Sequence, residues 1–116
     1  IMTPRLLTDR FYALRAQVEI AAKMYQQALD DIQHAKLLAP KDAYYPQECA
    51  RIHLITGNYE LAIEQAQLSL SLKEDNPEAY KLMGLAHLQL GNKQVAQDVL
   101  KKAKALGDNS VDSFIQ

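Results

Sequence analysis

Two histidines at a repeated spacing are the first residues that could support chemistry. His53 and His87 lie 34 positions apart and together offer two imidazoles to a metal ion. Zinc, however, needs nitrogens about 2.0–2.1 Å away and further converging ligands, whereas packed helices lie about 8–10 Å apart. Glu48 and Arg51 do not complete such a ligand set. We therefore favour packed, hydrogen-bonded histidines, predict no metal or other cofactor, and expect His34 to be an exposed helical residue.

The single cysteine, Cys49, is the second candidate. It cannot form an internal disulfide, and its neighbours offer no second ligand at a metal-binding spacing. Met83, which lies 34 positions later, shares its phase, and this favours a buried, inert thiol over a reactive one. A lone thiol also fits a reducing compartment, so the cytoplasm is favoured over the periplasm without excluding it.

The remaining polar clusters give little indication of catalysis. Tyr44-Tyr45 can stack on a ligand, whereas the charge pairs Asp30-Asp31 and Lys101-Lys102 are expected on solvated outer faces of helices. Packing between helices better explains the other tyrosines, namely Tyr12, Tyr25, Tyr59 and Tyr80. The sequence contains no Gly-rich phosphate loop, nucleophile–base set or isolated carboxylate pair. It therefore predicts a protein that is not an enzyme.

The composition bounds the scaffold that must position these residues. The chain has 116 residues, of which 48% are hydrophobic and 23% charged, as expected for one globular domain. A net charge of -1 argues against binding to nucleic acid or an anionic membrane. No apolar run approaches the roughly 20 residues of a membrane span, so no membrane insertion is predicted. Ile1-Met2-Thr3-Pro4 lacks the apolar region of a signal peptide. Because the sequence starts with Ile1 and stops abruptly after Phe114-Ile115-Gln116, we interpret the chain as a fragment of a longer protein.

A period of 34 residues runs through the sequence. Small residues recur at three phases: Ala16, Ala50 and Gly84; Ala28, Ala62 and Ala96; Ala35, Ser69 and Ala103. Large residues recur as well, as in Ile20, Leu54 and Leu88, or Leu38, Leu72 and Leu106. Such self-similarity predicts stacked units in which small residues mark close approaches between helices. The period divides one domain, 1–116, into repeats 9–42, 43–76 and 77–110 and a partial capping helix 111–116.

Each repeat is predicted to contain two helices, because its apolar residues follow a helical period. Gly57-Asn58 and Gly91-Asn92 end one helix and begin the next, and Asn76-Pro77 is a strong helix start that Asp42 and Asn109-Ser110 repeat more weakly. The predicted helices are 9–22, 25–38, 43–56, 59–72, 77–90 and 93–106, with a seventh from about 110. Pro46 can delay the third helix to about residue 46, and Lys23-Met24 must turn without a glycine.

The residues at these phases resemble the tetratricopeptide repeat. The third repeat carries Pro77, Ala79, Tyr80, Gly84, Gly91, Ala96, Leu100 and Ala103. The second keeps Ala50, Gly57, Tyr59, Ala62 and Leu72, and the first keeps Tyr12, Ala16, Tyr25, Ala28, Ala35 and Pro40. This resemblance covers roughly residues 9–110. It implies an all-α fold, a right-handed solenoid of three helical hairpins followed by the start of a capping helix.

The resemblance also implies where a partner binds. In this family the first helix of each hairpin lines a concave groove that holds a peptide or helix of another protein. The corresponding residues here are Arg10, Gln17, Tyr44, Gln47, Arg51, Leu54, Lys81, Leu85 and Leu88, together with Ala13. These side chains include cations, an aromatic ring and an apolar floor. They suggest the hypothesis that the partner segment is acidic and hydrophobic. The alternative is that the leucines belong partly to the core and that the cations lie on a solvated face.

One departure from the family narrows this implication. Members that clamp the carboxylate tail of heat-shock chaperones use lysine, asparagine and arginine at five groove positions. The residues at those positions here are Ala13, Gln17, Glu48, Glu78 and Leu82. Two carboxylates thus replace groups that would hold an anion, and binding of such a tail is not expected.

Two alternatives to a groove that binds an unidentified protein or peptide remain open. The chain can be a structural or self-association segment of a longer repeat solenoid, joined through its exposed ends. It can also be the regulatory appendage of an enzyme or sensor elsewhere in the parent chain. The sequence identifies neither the partner nor the biological process.

Overall fold

The computed structural model describes residues 8–116, which form an elongated stack of helices measuring 57 × 26 × 21 Å. The helices are α1 (Asp9–Ala21), α2 (Tyr25–Leu38), α3 (Tyr44–Ile55), α4 (Tyr59–Leu72), α5 (Pro77–Gln89) and α6 (Lys93–Ala105), followed by a 3-10 helix at Asn109–Phe114. No strand occurs in this range. The predicted all-helical solenoid is therefore confirmed, while residues 1–7 of the predicted domain lie outside the described residues.

Consecutive helices pair into three hairpins, and the hairpins stack in chain order. α1 packs on α2, α3 on α4 and α5 on α6, while contacts between α2 and α3 and between α4 and α5 join neighbouring hairpins. The core is accordingly divided into clusters that follow one another along the stack, around Ile32 and Ile52, then Ala50 and Met83, and finally Leu100, Ala103 and Val111. None of the helices described is both long and apolar enough to cross a membrane.

Small residues permit the close approach of paired helices. Ala16 and Ala50 are fully buried, and Gly84 occupies the same phase in the third hairpin. A Cβ atom at Gly84 would lie 2.6 Å from the Leu100 side chain of α6, closer than atoms can approach without moving. The large partner on one helix thus requires the small residue on the other. Ile32 takes the position of Leu100 in the first hairpin, whereas the second hairpin has Ala66 there.

The turns inside the hairpins use a left-handed residue. Gly57 and Gly91 have φ angles of 85° and 82° and end α3 and α5, as the sequence predicts. Lys23 takes the same role in the first hairpin with a φ of 62°. The first turn therefore forms without glycine, at the cost of placing a side chain in a conformation that is strained for L-residues.

The helices begin close to the predicted residues, but the groups that cap them differ from those predicted. α3 begins at Tyr44, whose N–H donates to the Asp42 carboxylate, so Pro46 lies inside the first turn and does not delay the helix. At the C-terminus the Asp108 carboxylate, and not Asn109, accepts the N–H of Ser110. The predicted seventh helix from about residue 110 is a 3-10 helix instead.

The prediction that Asp30 and Asp31 are both solvated is wrong for Asp31. Asp30 is exposed, but Asp31 is buried and accepts two hydrogen bonds from Arg15, at 2.8 Å from Nε and 2.7 Å from Nη2. This pair joins α1 to α2. Glu19 is also close to Asp31, and its interaction with that carboxyl, together with burial, raises the pKa of Glu19 to about 7.

The histidines pack as predicted, with one exception in their bonding. His34 is exposed and stacks on Tyr12 with ring centroids 4.7 Å apart. Nδ1 of His87 lies 3.2 Å from the Asn92 amide. His53 is buried, yet its Nδ1 has no partner among the described residues, so the expectation of a hydrogen bond there is wrong. Burial, with Lys36 nearby, lowers the pKa of His53 and favours a neutral ring.

Replacing Lys23 by glycine is expected to stabilise the fold. Lys23→Gly removes the left-handed strain at φ 62°, and the gain should exceed the entropy that glycine adds to the unfolded chain, leaving a net increase of about 0.5–1 kcal/mol in the free energy of unfolding. Urea denaturation measures it. Lys73→Gly is the matched control, because Lys73 ends α4 with an extended φ of -149° and should lose stability. Equal effects at the two lysines would contradict the strain argument.

Candidate functional site

The candidate site is the side-chain surface of the first helices α1, α3 and α5, which we call the groove. α3 lies against α5, and residues of α1 and α3 together line a cavity. All nine predicted groove residues lie on these three helices, and their neighbours at the buried phases, such as Ala50 and Met83, hold the helices in the stack. The hairpin core thereby determines the spacing of the groove side chains.

The N-terminal end of the groove is a cavity of about 360 Å³. Of the predicted residues it contains Arg10, Gln17 and Tyr44, with Ala13 and Leu14 as its apolar part. Leu14 is 65% exposed and was not predicted, although its helical phase beside Arg10 and Gln17 would have identified it. Two carboxylates, Asp9 and Asp42, complete the lining along with Tyr45.

The two tyrosines at this end have different roles. Gln17 Nε2 donates a hydrogen bond of 2.8 Å to the Tyr44 hydroxyl, so that α1 orients a ring carried by α3. Burial, with a smaller contribution from Glu48, raises the pKa of Tyr44 and keeps its phenol neutral. Tyr45 is 3% exposed, and its hydroxyl group donates a hydrogen bond to the Asp9 carboxylate. Of the adjacent pair, therefore, only Tyr44 is accessible to a ligand.

The centre of the groove is an ionic cluster around Arg51. Its Nε lies 3.1 Å from Glu48 Oε2, and its Nη2 lies 2.9 Å from Glu78 Oε1. Glu48 is almost fully buried, whereas the side chain of Glu78 is 28% exposed. Arg51 therefore joins α3 to α5, and its guanidinium is not the uncommitted cation that the sequence suggested for pairing with an acidic partner.

Gln47 is also committed to the scaffold. The amide of Asn76 donates to Gln47 Oε1 and to Ser69 Oγ, each at 3.0 Å, and Ser69 donates to the carbonyl of Ala43 at 2.7 Å. Asn76 thus does not cap α5 with its side chain, contrary to the prediction, but connects the second hairpin to the third. One face of Gln47 lines a second cavity beside Tyr44 and Lys73.

The C-terminal end of the groove is apolar. Leu54 and Leu85 line a cavity of about 300 Å³ together with Tyr59, Gln89 and Phe114. Phe114 was not predicted here, because it reaches the groove only through the fold of the C-terminal segment, whose carbonyl at Phe114 accepts a bond from Gln97. Leu88 differs from the other two leucines, since it packs against the third core cluster and is partly core.

Carboxylates outnumber cations in the groove. Lys81 lies near Asp108, whose pKa is lowered by hydrogen bonds from Ser110 and, to a smaller extent, by Lys81 itself. The charged groups of the first cavity, the Arg51 cluster and the predicted groove positions are Asp9, Arg10, Asp42, Glu48, Arg51, Glu78 and Lys81. They comprise four carboxylates and three cations, a balance that does not favour an acidic segment.

The described residues hold no arrangement typical of catalysis or metal binding. Within residues 8–116, no group of three or more His, Cys, Asp and Glu side chains could hold a metal ion. Cys49 is buried, as predicted, and burial raises the pKa of its thiol to about 11, which keeps it protonated and unreactive.

Removing Arg51 is expected to destabilise the fold through Glu48. Arg51→Met leaves a buried carboxylate without its counter-charge, which should lower the free energy of unfolding by about 1–3 kcal/mol. In a Glu48→Gln background the same change should cost clearly less. Urea denaturation of the four proteins at pH 7 gives the coupling energy, and additivity within about 0.5 kcal/mol would contradict the pairing.

One family model and one curated protein match parts of the chain. The family model described as tetratricopeptide repeat matches residues 77–106. Superkiller complex protein 3 of Mus musculus is 40% identical over 67 residues, which are 58% of this chain but only 4% of that protein. The chain thus spans a small fraction of the length of this curated relative.

Solved structures share the fold over nearly the whole chain. The TPR domain of Arabidopsis OM64 gives a TM-score of 0.89 at 16% identity, covering 92% of this chain and 90% of that one. The Sgt2 TPR domain from Aspergillus fumigatus gives 0.87 at 21% identity, with coverages of 97% and 76%. The first TPR of Spaghetti (RPAP3), solved with the HSP90 peptide SRMEEVD, gives 0.84 at 17% identity, with coverages of 88% and 81%. The third repeat therefore matches the tetratricopeptide repeat model, and the stack of three hairpins has the same fold as these TPR domains.

Proposed function

We propose that the chain is a protein-interaction module that binds a peptide or helix of a partner protein in its groove. The observation that carries this proposal is the alignment of two cavities, of about 360 and 300 Å³, at the ends of one surface formed by α1, α3 and α5. Each has an apolar part able to accept a side chain, and polar groups lie between them. The module acts by binding and not by catalysis.

Rigidity of the groove supports this function. Gln17 orients Tyr44, Arg51 joins two carboxylates on adjacent helices, and Asn76 fixes Gln47. Because these side chains are already ordered, a partner loses less entropy on binding than it would on a mobile surface. Grooves of this modest size are expected to give affinities in the micromolar range, roughly −8 kcal/mol.

The solved relatives support the mode of binding but not the identity of the ligand. The first TPR of Spaghetti is bound to an HSP90 peptide, so the fold is suited to holding peptides. The residues of this chain at the clamp positions differ, since Glu48 and Glu78 are carboxylates and Leu82 is buried in the core. We therefore propose a partner other than a chaperone tail.

Peptide selection tests the proposed groove. A random 12-residue peptide library displayed on phage is panned on the intact chain, and fluorescence anisotropy gives the affinities of selected peptides. Leu85→Gln should weaken binding at least tenfold, because it places a polar group in the apolar cavity. Leu37→Gln is the control, since Leu37 is 79% exposed on α2, outside the groove. If a peptide bound both variants with the same affinity, its binding site would lie outside the groove.

A second candidate function is supported by the exposed face of α1. Phe11, Leu14 and Val18 are 40%, 65% and 68% exposed, although they recur at i, i+3 and i+7 on one face. The residues 34 and 68 positions later are buried where hairpins meet, and they are Tyr45, Glu48, Ile52, Ala79, Leu82 and Ala86. The α1 face therefore has the pattern of a hairpin contact, which suits self-association or continuation of a solenoid.

Light scattering tests self-association through this face. The unmodified chain is expected to form dimers as its concentration rises to about 100 μM, the regime of weak association. Val18→Glu should restore the monomer by placing a charge in the contact, whereas Leu37→Glu adds the same charge elsewhere and should leave the dimer intact. A monomer at every concentration would exclude self-association and leave the groove as the function.

A further inference from the structure

We infer that the groove selects a partner segment with a lysine or arginine between two apolar side chains. This inference rests on the proposed function, since it assigns the chemistry of the ligand in the same groove. It also reverses the charge preference that the sequence suggested. The argument starts from the carboxylates on α3 and α5 and then uses the two cavities on either side of them.

The central cluster has more negative than positive charge. Glu48 and Glu78 share one guanidinium, that of Arg51, so one carboxylate charge is left uncompensated within the cluster. Both oxygens of Glu48 receive a bond from Arg51 Nε. Glu78 is bonded through Oε1, and no described side chain donates to its Oε2. Because Glu78 is partly exposed, this oxygen is the acceptor most available to an incoming ammonium or guanidinium.

The other two cations of the groove each have carboxylates of their own nearby. Arg10 shares the N-terminal cavity with two carboxylates, Asp9 and Asp42. Lys81, on α5 beside the central cluster, is near Asp108 and contributes to lowering the pKa of that residue after Ser110. A partner carboxylate placed at the centre would therefore meet like charge at short range, whereas a partner cation would meet a net negative field in a partly desolvated groove.

The cavities on either side determine the rest of the pattern. Ala13 and Leu14 provide apolar surface at one end, and Leu54, Leu85 and Phe114 provide it at the other. Tyr44 in the first cavity and Leu54 in the second lie ten residues apart on α3, which is about 15 Å at about 1.5 Å per residue. An extended chain spans that distance with about five residues. The expected ligand thus has two apolar anchors about five residues apart and a basic residue near the middle.

A comparison within the fold supports this assignment. The peptide SRMEEVD in the Spaghetti structure contains three acidic residues, and acidic side chains are bound most favourably by cations. The same fold here supplies Glu48 and Glu78 at its centre, bridged by a single arginine. Reversal of charge in the groove is expected to reverse the preferred charge of the ligand, because the hairpin core that positions these residues is built from other side chains.

The experiment uses the intact chain and peptides selected from a random 12-residue library. We expect the selected peptides to contain a lysine or arginine between apolar residues, and its replacement by glutamine to weaken binding at least tenfold. Affinity should also fall between 50 and 300 mM NaCl, because salt screens charge pairing. Glu78→Gln, which preserves shape and an acceptor oxygen, should weaken binding about tenfold. Glu64→Gln, at an exposed position of α4, should leave it within twofold.

The outcomes separate the charge preference from the groove itself. Acidic or uncharged peptides whose binding is lost in Leu85→Gln would overturn the inference and leave the proposed function intact. Basic peptides insensitive to both Leu85→Gln and Glu78→Gln would overturn both, since they would bind elsewhere. Failure to select any peptide would also overturn both. Circular dichroism of each variant identifies loss of fold, and in that case Glu78→Asp, which keeps the charge but shortens its reach, replaces Glu78→Gln and should weaken binding by a smaller factor.

Discussion

The structure depends on the close contact between the two helices of each hairpin. Gly84 has room for no side chain because Leu100 packs directly over it, and Ala16 and Ala50 occupy the same phase in the other hairpins. Packed interiors tolerate little change in volume, so this contact fixes the angle of each hairpin and hence of the next. The positions of α1, α3 and α5, and the groove they form, follow from it.

Most of the fold could be predicted because its determinants are local or periodic. The helix limits come within one or two residues of the prediction, since glycine turns and the apolar period recur every 34 residues. Lys23 is predicted to turn without glycine, and it does so by adopting a left-handed conformation. The errors concern side chains whose partners are distant in sequence. Asp31 bonds to Arg15 on another helix, and Asn76 bonds to Gln47, so neither role is visible in a local pattern.

In the groove, too, the 34-residue period predicts the positions of residues but not the partners of their side chains. Helical phase predicts which residues face it, and Tyr44, Leu54 and Leu85 line its cavities. Phase says nothing about pairing across helices, which is why Arg51 could be mistaken for an uncommitted cation when it lies between Glu48 and Glu78. Phe114 was missed because the C-terminal segment forms a 3-10 helix and not the regular helix that the period would continue.

The residues that stack the hairpins are separate from most groove residues, so the charge of the groove can change while the fold stays the same. The contacts that set the hairpin angle involve Gly84, Leu100 and the small residues at their phases, none of which carries a charge. Glu78 and Arg51 lie on the same helices at different phases, so their identity can change without altering that angle. Glu48 is the exception, because it is buried and its carboxylate needs Arg51 for stability. The arginine is therefore tied to the fold through Glu48. Of the two carboxylates that Arg51 bridges, Glu78 is the one with an oxygen that Arg51 does not bond, so its substitution is expected to change the charge of the groove with the smaller effect on stability.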